Sequence, residues 1–354
     1  MEITINKHMW KVYDVINVIG FIRLENYGED QFKRFNLEMN KDVRKILDGL
    51  KKYIDVDNHV LKLLMDMNNN FNNLPCPSNW MLEVKEVKDI PEFFRNIDTD
   101  TIVRNLLSWQ YYSKLGDSIS VEERLEYAEG LLKNPQELIA FIDTLNMEGD
   151  LKWELCNFIN NPKSYYNEFA NIIEKFLPHY EKLIAKHEHK MKEFSDYLEK
   201  KIEQVGVEYL KEATGNYLDL DKYDKISICT SFINPVTCSS HMKDTEIHLY
   251  LGIEYEEVRK KCLGENELEI SLNTVKTLCD PIKFQILKCM KDKDVFGKEI
   301  CEETGLSKAS LSYHIEYLMS MNLIRFSKQG TKVYYSLKKE VIGEAIDVIK
   351  REFK

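Results

Sequence analysis

Leu306-Ser-Lys-Ala-Ser-Leu-Ser-Tyr-His-Ile-Glu-Tyr-Leu318 is the stretch on which the reading of this chain turns. Leu311, Ile315 and Leu318 recur at the 4 and 3 spacing of a buried helical stripe. Ser307 stands where a capping side chain would start that helix. Lys308, Ser310, Ser312, Tyr313 and His314 are left on other faces, and all are side chains of useful reach for phosphate oxygens or base edges.

Working outward, Leu278-Cys-Asp-Pro-Ile-Lys-Phe-Gln-Ile-Leu287 predicts an earlier helix, with Asp280 as its cap and Pro281 at its first position, where no donor is needed. Ile282, Ile286, Leu287 and Met290 are expected on its inner face. Lys298-Glu-Ile-Cys-Glu-Glu-Thr304 predicts a second helix, closed by a left-handed Gly305. After the third helix, Met321-Asn-Leu-Ile-Arg-Phe326, the turn Ser327-Lys-Gln-Gly-Thr331 and Lys332-Val-Tyr-Tyr-Ser-Leu337 read as a hairpin. Three short helices and a two-stranded ribbon in this order describe a winged helix-turn-helix, with Arg325, Lys328 and Lys332 as positive charge along the wing.

The same segments, together with Glu303-Thr-Gly-Leu-Ser307 and Leu311-Ser-Tyr-His-Ile315, resemble the arsenic-repressor (ArsR) family of winged-helix regulators. The resemblance covers about the last quarter of the chain and says nothing of residues before Leu272. It implies a reading of double-stranded DNA, at an inverted-repeat operator, through Ser307, Lys308, Ser310, Ser312, Tyr313 and His314, with Arg325, Lys328 and Lys332 on phosphates. It also implies a homodimer in which the last helix joins the first helix of the module, placing Leu272, Val275, Ile342, Ala345, Ile346, Ile349 and Phe353 at the interface. Two features depart from the family's metal sensors. Phe296 and Lys298 stand where a Cys-x-Cys ligand pair would lie, and Lys338 to Lys354 contains no His. No metal and no cofactor is therefore expected, and Cys301 reads as a small core residue.

Charge partition agrees with DNA contact through one end. Residues 271–354 carry 15 Lys and Arg against 11 Asp and Glu, while residues 1–270 carry 34 against 48, within a chain of net charge −10. A basic module on an acidic body fits DNA better than nonspecific coating or membrane adhesion. The chain has 354 residues, 44% of them hydrophobic, enough for two or three domains with substantial cores. Eight irregularly spaced Cys, no signal peptide and no membrane-spanning apolar run predict a cytoplasmic protein with reduced thiols.

The fold class expected is mainly α: a large helical domain over 1–223, a small β-hairpin and helical connector over 224–270, and the winged helix-turn-helix over 271–354. Within the first domain, Asn72-Asn-Leu-Pro-Cys-Pro-Ser78 reads as a loop, and Ser120 to Glu123 as a capping box. Asn134-Pro135 and Asn161-Pro162 each join two helices, and Pro178 and Gly206 are possible breaks in a long helical region after Pro162. Ile139, Ile142, Leu145, Trp153, Cys156, Phe158 and Ile159 are candidates for core faces. The hairpin is read from Lys225 to Ile233 and from Thr245 to Leu251, around a turn-rich Asn234 to Ser240.

Chemistry is sparse. The first 270 residues contain no Gly-rich phosphate loop, Gly-x-Ser-x-Gly elbow, His-Glu-x-x-His or paired-cysteine framework. Cys229, Cys238, His241 and His248 have zinc-compatible side chains but unspecific spacing, so core packing is the simpler reading. His179, His187 and His189 lie on a Lys- and Glu-rich helix where positions 187 and 189 do not face one another. Trp109, Tyr111, Tyr112, Trp153, Tyr165, Tyr166, Phe169 and Phe176 could line a ligand pocket or simply form core. These observations predict a non-enzymatic, sequence-specific regulator, a repressor modulated by an unknown effector or partner at its N-terminal domain. The alternative is an interaction protein whose module binds protein; an enzyme with a regulatory DNA-binding tail is a further reading.

Overall fold

The computed structural model describes residues 1–24, 29, 32–33, 35, 37–66, 83–115, 120–145, 147–214, 218–243, 245–264, 266–329 and 332–354. The loop expected at 72–78 lies outside the described residues. The fold is mainly α, and the chain divides into two compact units, His8–Gly28 with Met39–Glu188, and Met1–Lys7 with Glu29–Glu38 and His189–Lys354.

The first unit is helical. Its described helices are α1 (Met9–Arg23), α2 (Lys41–Lys51), α3 (His59–Asp66), α4 (Ile90–Asn96), α5 (Thr99–Leu115), α6 (Val121–Lys133), α7 (Pro135–Asp143), α8 (Gly149–Asn160) and α9 (Pro162–Ile184). Local chemistry sets their ends. Ser120 and Glu123 form the expected capping box, and Asn134-Pro135 and Asn161-Pro162 open α7 and α9 with proline in the first turn. The core follows the buried stripe of α9, where Tyr166, Phe169, Ala170, Ile173 and Phe176 are fully enclosed. Phe94 meets the ring of Phe169 edge-on at 4.9 Å, and the Tyr180 hydroxyl donates to the Lys11 carbonyl oxygen at 3.0 Å.

Several expectations are corrected here. The helix α9 runs through Pro178, because buried Phe176, Leu177 and Tyr180 around it outweigh a lost backbone donor worth about 3 kcal/mol. The break comes instead at the 3-10 turn Ala185–His187, and again at Gly206 with φ 70°. Trp153, at 67% exposure, and Ile139 lie on the outside, whereas Ile142, Leu145 and Phe158 are core. Of the aromatic candidates, Tyr165, Tyr166, Phe169 and Phe176 are buried packing residues and Trp109 is exposed. Tyr111 stacks on Tyr127 at 3.8 Å, and the Tyr112 side chain lies outside the described residues.

The second unit begins with β1 (Glu2–Ile5) and resumes with α10 (Glu188–Val205) and α11 (Val207–Thr214). Strands β2 (Lys225–Ser231), β3 (Cys238–Lys243) and β4 (Glu246–Gly252) join β1 in a sheet of order β1-β2-β4-β3. The two strands expected to form a hairpin instead run parallel, Ile226 beside Ile247 and Ile228 beside Leu249. The antiparallel partner of β4 is β3, which begins inside the stretch read as a turn. The reason is burial: Ile226 to Ser231 are enclosed on both faces, so β2 takes a central place that a solvent-facing hairpin could not supply.

Helix α12 (Tyr255–Leu263) follows and packs on the C-terminal module. That module comprises α13 (Glu267–Leu278), α14 (Pro281–Cys289), β5 (Val295–Phe296), α15 (Gly297–Thr304), α16 (Lys308–Ser320), β6 (Ile324–Gln329), β7 (Lys332–Leu337) and α17 (Lys339–Arg351). Its strands form a sheet of order β5-β7-β6. Ile286, Leu287, Met290, Val295, Ile300, Leu311, Ile315, Leu318, Met321, Leu323 and Ile324 make its core. Ile282, expected in that core, is exposed, because Pro281 and Ile282 occupy the outward side of the first turn of α14.

Candidate nucleic-acid interface

Three local devices set α16 in place. Asp280 Oδ1 accepts from the amides of Ile282 and Lys283, both at 3.0 Å, and so fixes the start of α14. Gly305, with φ 71°, ends α15 in the left-handed region, and its amide donates to the Cys301 carbonyl at 2.8 Å. Ser307 Oγ then accepts from the Ser310 amide at 3.1 Å. Two short helices meeting across Gly305-Leu306-Ser307 are a helix-turn-helix. Leu311, Ile315 and Leu318 face the core as the spacing requires.

The outer surface of α16 presents Ser307, Lys308 and Tyr313 as exposed residues, with Ser310 and Ser312 half-buried. His314 does not join them. It is only 9% exposed, beside the Asp280–Lys283 pair of α14, and its Nδ1 has no hydrogen-bond partner. Burial, then the neighbouring Lys283 charge, push the imidazole below its ordinary pKa, while Asp280 acts in the opposite direction. The 3-residue step from Leu311 turns His314 inward; the expectation of an outer-face histidine is corrected. Lys283 also lies 4.6 Å from the Tyr317 ring centroid, a cation–π contact that ties α14 to α16.

The hairpin β6–β7 pairs Arg325 with Ser336 and Lys328 with Val333. The side chains of Lys328 and Lys332, and the turn at 330–331, lie outside the described residues. Arg325, exposed on β6, lines a cleft with residues 218–222 of the same unit. Sequence reasoning missed this cleft, for which the sole signal was strand alternation placing Arg325 and Ser327 on one face.

Packing also sorts the expected interface residues. Helices α13 and α17 lie against each other and are joined by an Arg351–Glu267 ion pair at 2.6 Å. Ala345 is buried in the single chain, and Ile342, half-buried, packs on the module's own core. Leu272 (45% exposed), Ile346 (39%) and Phe353 (87%) face outward. Val275, Ile346, Ile349 and Phe353 line an open apolar hollow of about 460 Å³.

Burial pushes the Cys301 thiol above its ordinary value, and burial followed by Glu303 takes Cys289 up to about 11. Both are packing residues. Cys229 and His248 are buried on β2 and β4, and His241 sits opposite His248 across β3 and β4. Among the described residues no group of three or more His, Cys, Asp or Glu is placed to hold a metal ion. His179 stacks on Tyr53 at 3.5 Å, and His189 pairs with Glu193 at 3.2 Å on an exposed face.

A helix-turn-helix with a hydroxyl-rich second helix that opens on an exposed Lys308 defines a class, that of helix-turn-helix regulatory proteins. Comparison with known proteins makes the assignment narrower. Residues 280–325 match the model of the bacterial regulatory proteins of the arsR family. The chain is 32% identical over 75 residues to the transcriptional repressor SdpR of Bacillus subtilis, covering 21% of this chain and 83% of SdpR. It is 24% identical over 84 residues to the HTH-type transcriptional regulator KmtR of Mycobacterium tuberculosis, covering 24% of this chain and 65% of KmtR. The chain belongs to the arsR family. No solved structure matches it significantly.

Proposed function

We propose that this chain is a homodimeric, sequence-specific transcriptional repressor that binds DNA through a winged helix-turn-helix. In this reading α16 enters the major groove, with Lys308, Ser310, Ser312 and Tyr313 toward base edges and phosphates and Ser307 at the adjoining backbone. The hairpin β6–β7 is the wing, and Lys328 and Lys332 neutralise phosphates beside it. The carrying observation is the outward presentation of Lys308 and Tyr313 on the second helix of a helix-turn-helix whose module is basic against an acidic remainder. Repression is taken from SdpR, which is named a repressor. An effector or partner bound beyond the recognition helix would shift the protein between DNA-competent and incompetent states. Among the described residues no helix is long and apolar enough to cross a membrane, in keeping with a site of action on DNA.

The test is selection of genomic DNA fragments by full-length protein, with Ser312→Ala/Tyr313→Ala as the control. An enriched inverted repeat that the variant fails to select is expected. Lys308→Glu should lower affinity across all sequences and flatten the salt dependence by about one counterion. Failure to enrich any sequence, or indifference to all three substitutions, overturns the assignment in favour of a protein-binding module.

A further inference from the structure

The cleft beside the hairpin has a charge arrangement of its own. It encloses about 420 Å³, within the range of small-molecule sites, and its walls belong to one compact unit. One wall is the hairpin face that bears Arg325 and Ser327 on β6 and Ser336 directly across from Arg325 on β7. The opposite wall is the stretch from Leu218 to Lys222, together with Lys211 from α11. Asp294, just before β5, also borders it.

Most charges on these walls already neutralise each other. Lys211 pairs with Asp221 at 2.6 Å, and Lys222 pairs with Asp219 at 2.8 Å. Two remain. Among the described residues neither the Arg325 nor the Asp294 side chain has an ion-pair or hydrogen-bond partner. One unpaired cation and one unpaired anion, both open to solvent, border the same cleft and are free to take a ligand that carries both complements.

Behind Arg325 lies Lys338, buried where β7 ends, whose ammonium donates to Asn322 Oδ1 at 2.5 Å. Burial pushes its pKa down, Glu340 opposes that, and Arg325 and Arg259 add smaller repulsions. Arg259 is itself buried, with Nη1 donating to the Glu212 carbonyl at 2.8 Å and Nε unsatisfied. A carboxylate on Arg325 would relieve that repulsion and could take a two-pronged guanidinium contact, with the Ser327 and Ser336 hydroxyls as further donors. An ammonium group would answer Asp294, and Leu218 supplies apolar contact for the remainder.

We infer that this cleft binds a small zwitterion of the α-amino-acid class, its carboxylate on Arg325 and its ammonium on Asp294. As an effector site this deepens the regulator proposed above and rests on that reading, whereas the binding itself does not. A ligand held there bridges the hairpin to residues 218–222, and α12 of the same unit packs against α16. Occupancy would thus bias the position of the wing and recognition helix.

The experiment screens full-length protein against the twenty L-amino acids by thermal shift, then titrates any that respond by calorimetry, all without DNA. For each responder, the matching carboxylate lacking the amine and the matching amine lacking the carboxylate are titrated alongside. At least one amino acid should bind saturably, both monofunctional analogues should bind at least about tenfold more weakly, and Arg325→Gln and Asp294→Asn should each lose about tenfold. No response to any amino acid overturns the proposal. So does equal binding of either analogue, or unchanged affinity in both variants. Should either variant misfold by circular dichroism, the comparison of amino acid with its analogues on the unaltered chain still decides. A separate DNA titration with and without the responder should show affinity shifted at least about threefold; no shift removes the effector role. A chain that binds the amino acid but no DNA leaves the site standing and the regulator reading fallen.

Discussion

The imidazole of His314 is enclosed on the second helix of the helix-turn-helix, and its surroundings set a pH dependence. Its folded pKa lies below the ordinary value of about 6.5, chiefly through burial, then Lys283, with Asp280 opposing. As pH falls below about 6.5 the unfolded chain takes up a proton that the folded chain refuses, so stability declines until the folded value is reached. Above that window the residue has no pH effect. Thermal midpoints of the native chain and His314→Leu, compared from about pH 7.5 to pH 5.5, should converge toward acid, the variant lacking this part of the slope. Parallel curves would show that His314 stays neutral or is solvated in both states. Two glycines make a second comparison at this scale. A Cβ on Gly252 would lie 2.2 Å from the Pro235 carbonyl carbon and oxygen, a backbone collision with no flexible end to move. Gly305 has φ 71° and open space around it. Gly305→Ala should therefore cost only the left-handed strain, about 1 kcal/mol, while Gly252→Ala should cost at least about 3 kcal/mol in urea unfolding.

Helix ends were legible in the sequence wherever one or two side chains decide them. Asp280, Ser307, Ser120, Asn134 and Gly305 all act where their residue types predict, because a cap needs only its own first or last turn. Removing the Asp280 carboxylate leaves two amides of α14 without their acceptor. Asp280→Ala should cost about 1 kcal/mol and Asp280→Ser much less, measurable by chemical denaturation. Strand partnership was not legible. Thr4 meets Ser227 across β1 and β2, with the helical unit's segments lying between them in the chain. Four residues, Glu-Ile-Thr-Ile, carry too little pattern to announce a parallel partner so distant, and the cost of closing that loop is invisible locally. The same limit applies to the candidate sites. Lys308 and Tyr313 could be read from the α16 period, and so could the inward turn of His314 three residues after Leu311, but the Asp280–Lys283 pair beside it could not. The cleft at Arg325 required residues 211, 218–222, 294 and 325–336 to meet, which no local spacing encodes.

At the scale of the whole molecule, two recognition helices must be held at a fixed separation if an inverted repeat is to be read, about 34 Å for successive major grooves. The surface suited to set that spacing is the outer side of α13 and α17. Leu272, Ile346 and Phe353 are exposed there at 45%, 39% and 87%, and the apolar hollow between Val275, Ile349 and Phe353 is open. A two-fold interface would bury these side chains against their copies, and each large apolar group so covered contributes about 1.5–3 kcal/mol before association costs. Leu272→Glu/Ile346→Glu would set four carboxylates of a dimer close together in that apolar contact, without touching the core residues Ala345 and Val348. The variant is expected to be monomeric by light scattering while keeping its helical content. Its affinity for a full inverted repeat should fall by at least about tenfold, toward that for a single half-site, and its salt slope should fall by about half. Trp153→Glu, on a still more exposed apolar side chain of the helical unit, should change neither mass nor affinity. A double-glutamate variant that remains dimeric would place the two-fold contact elsewhere. One that becomes monomeric yet binds the repeat unchanged would show that a single α16 carries the recognition.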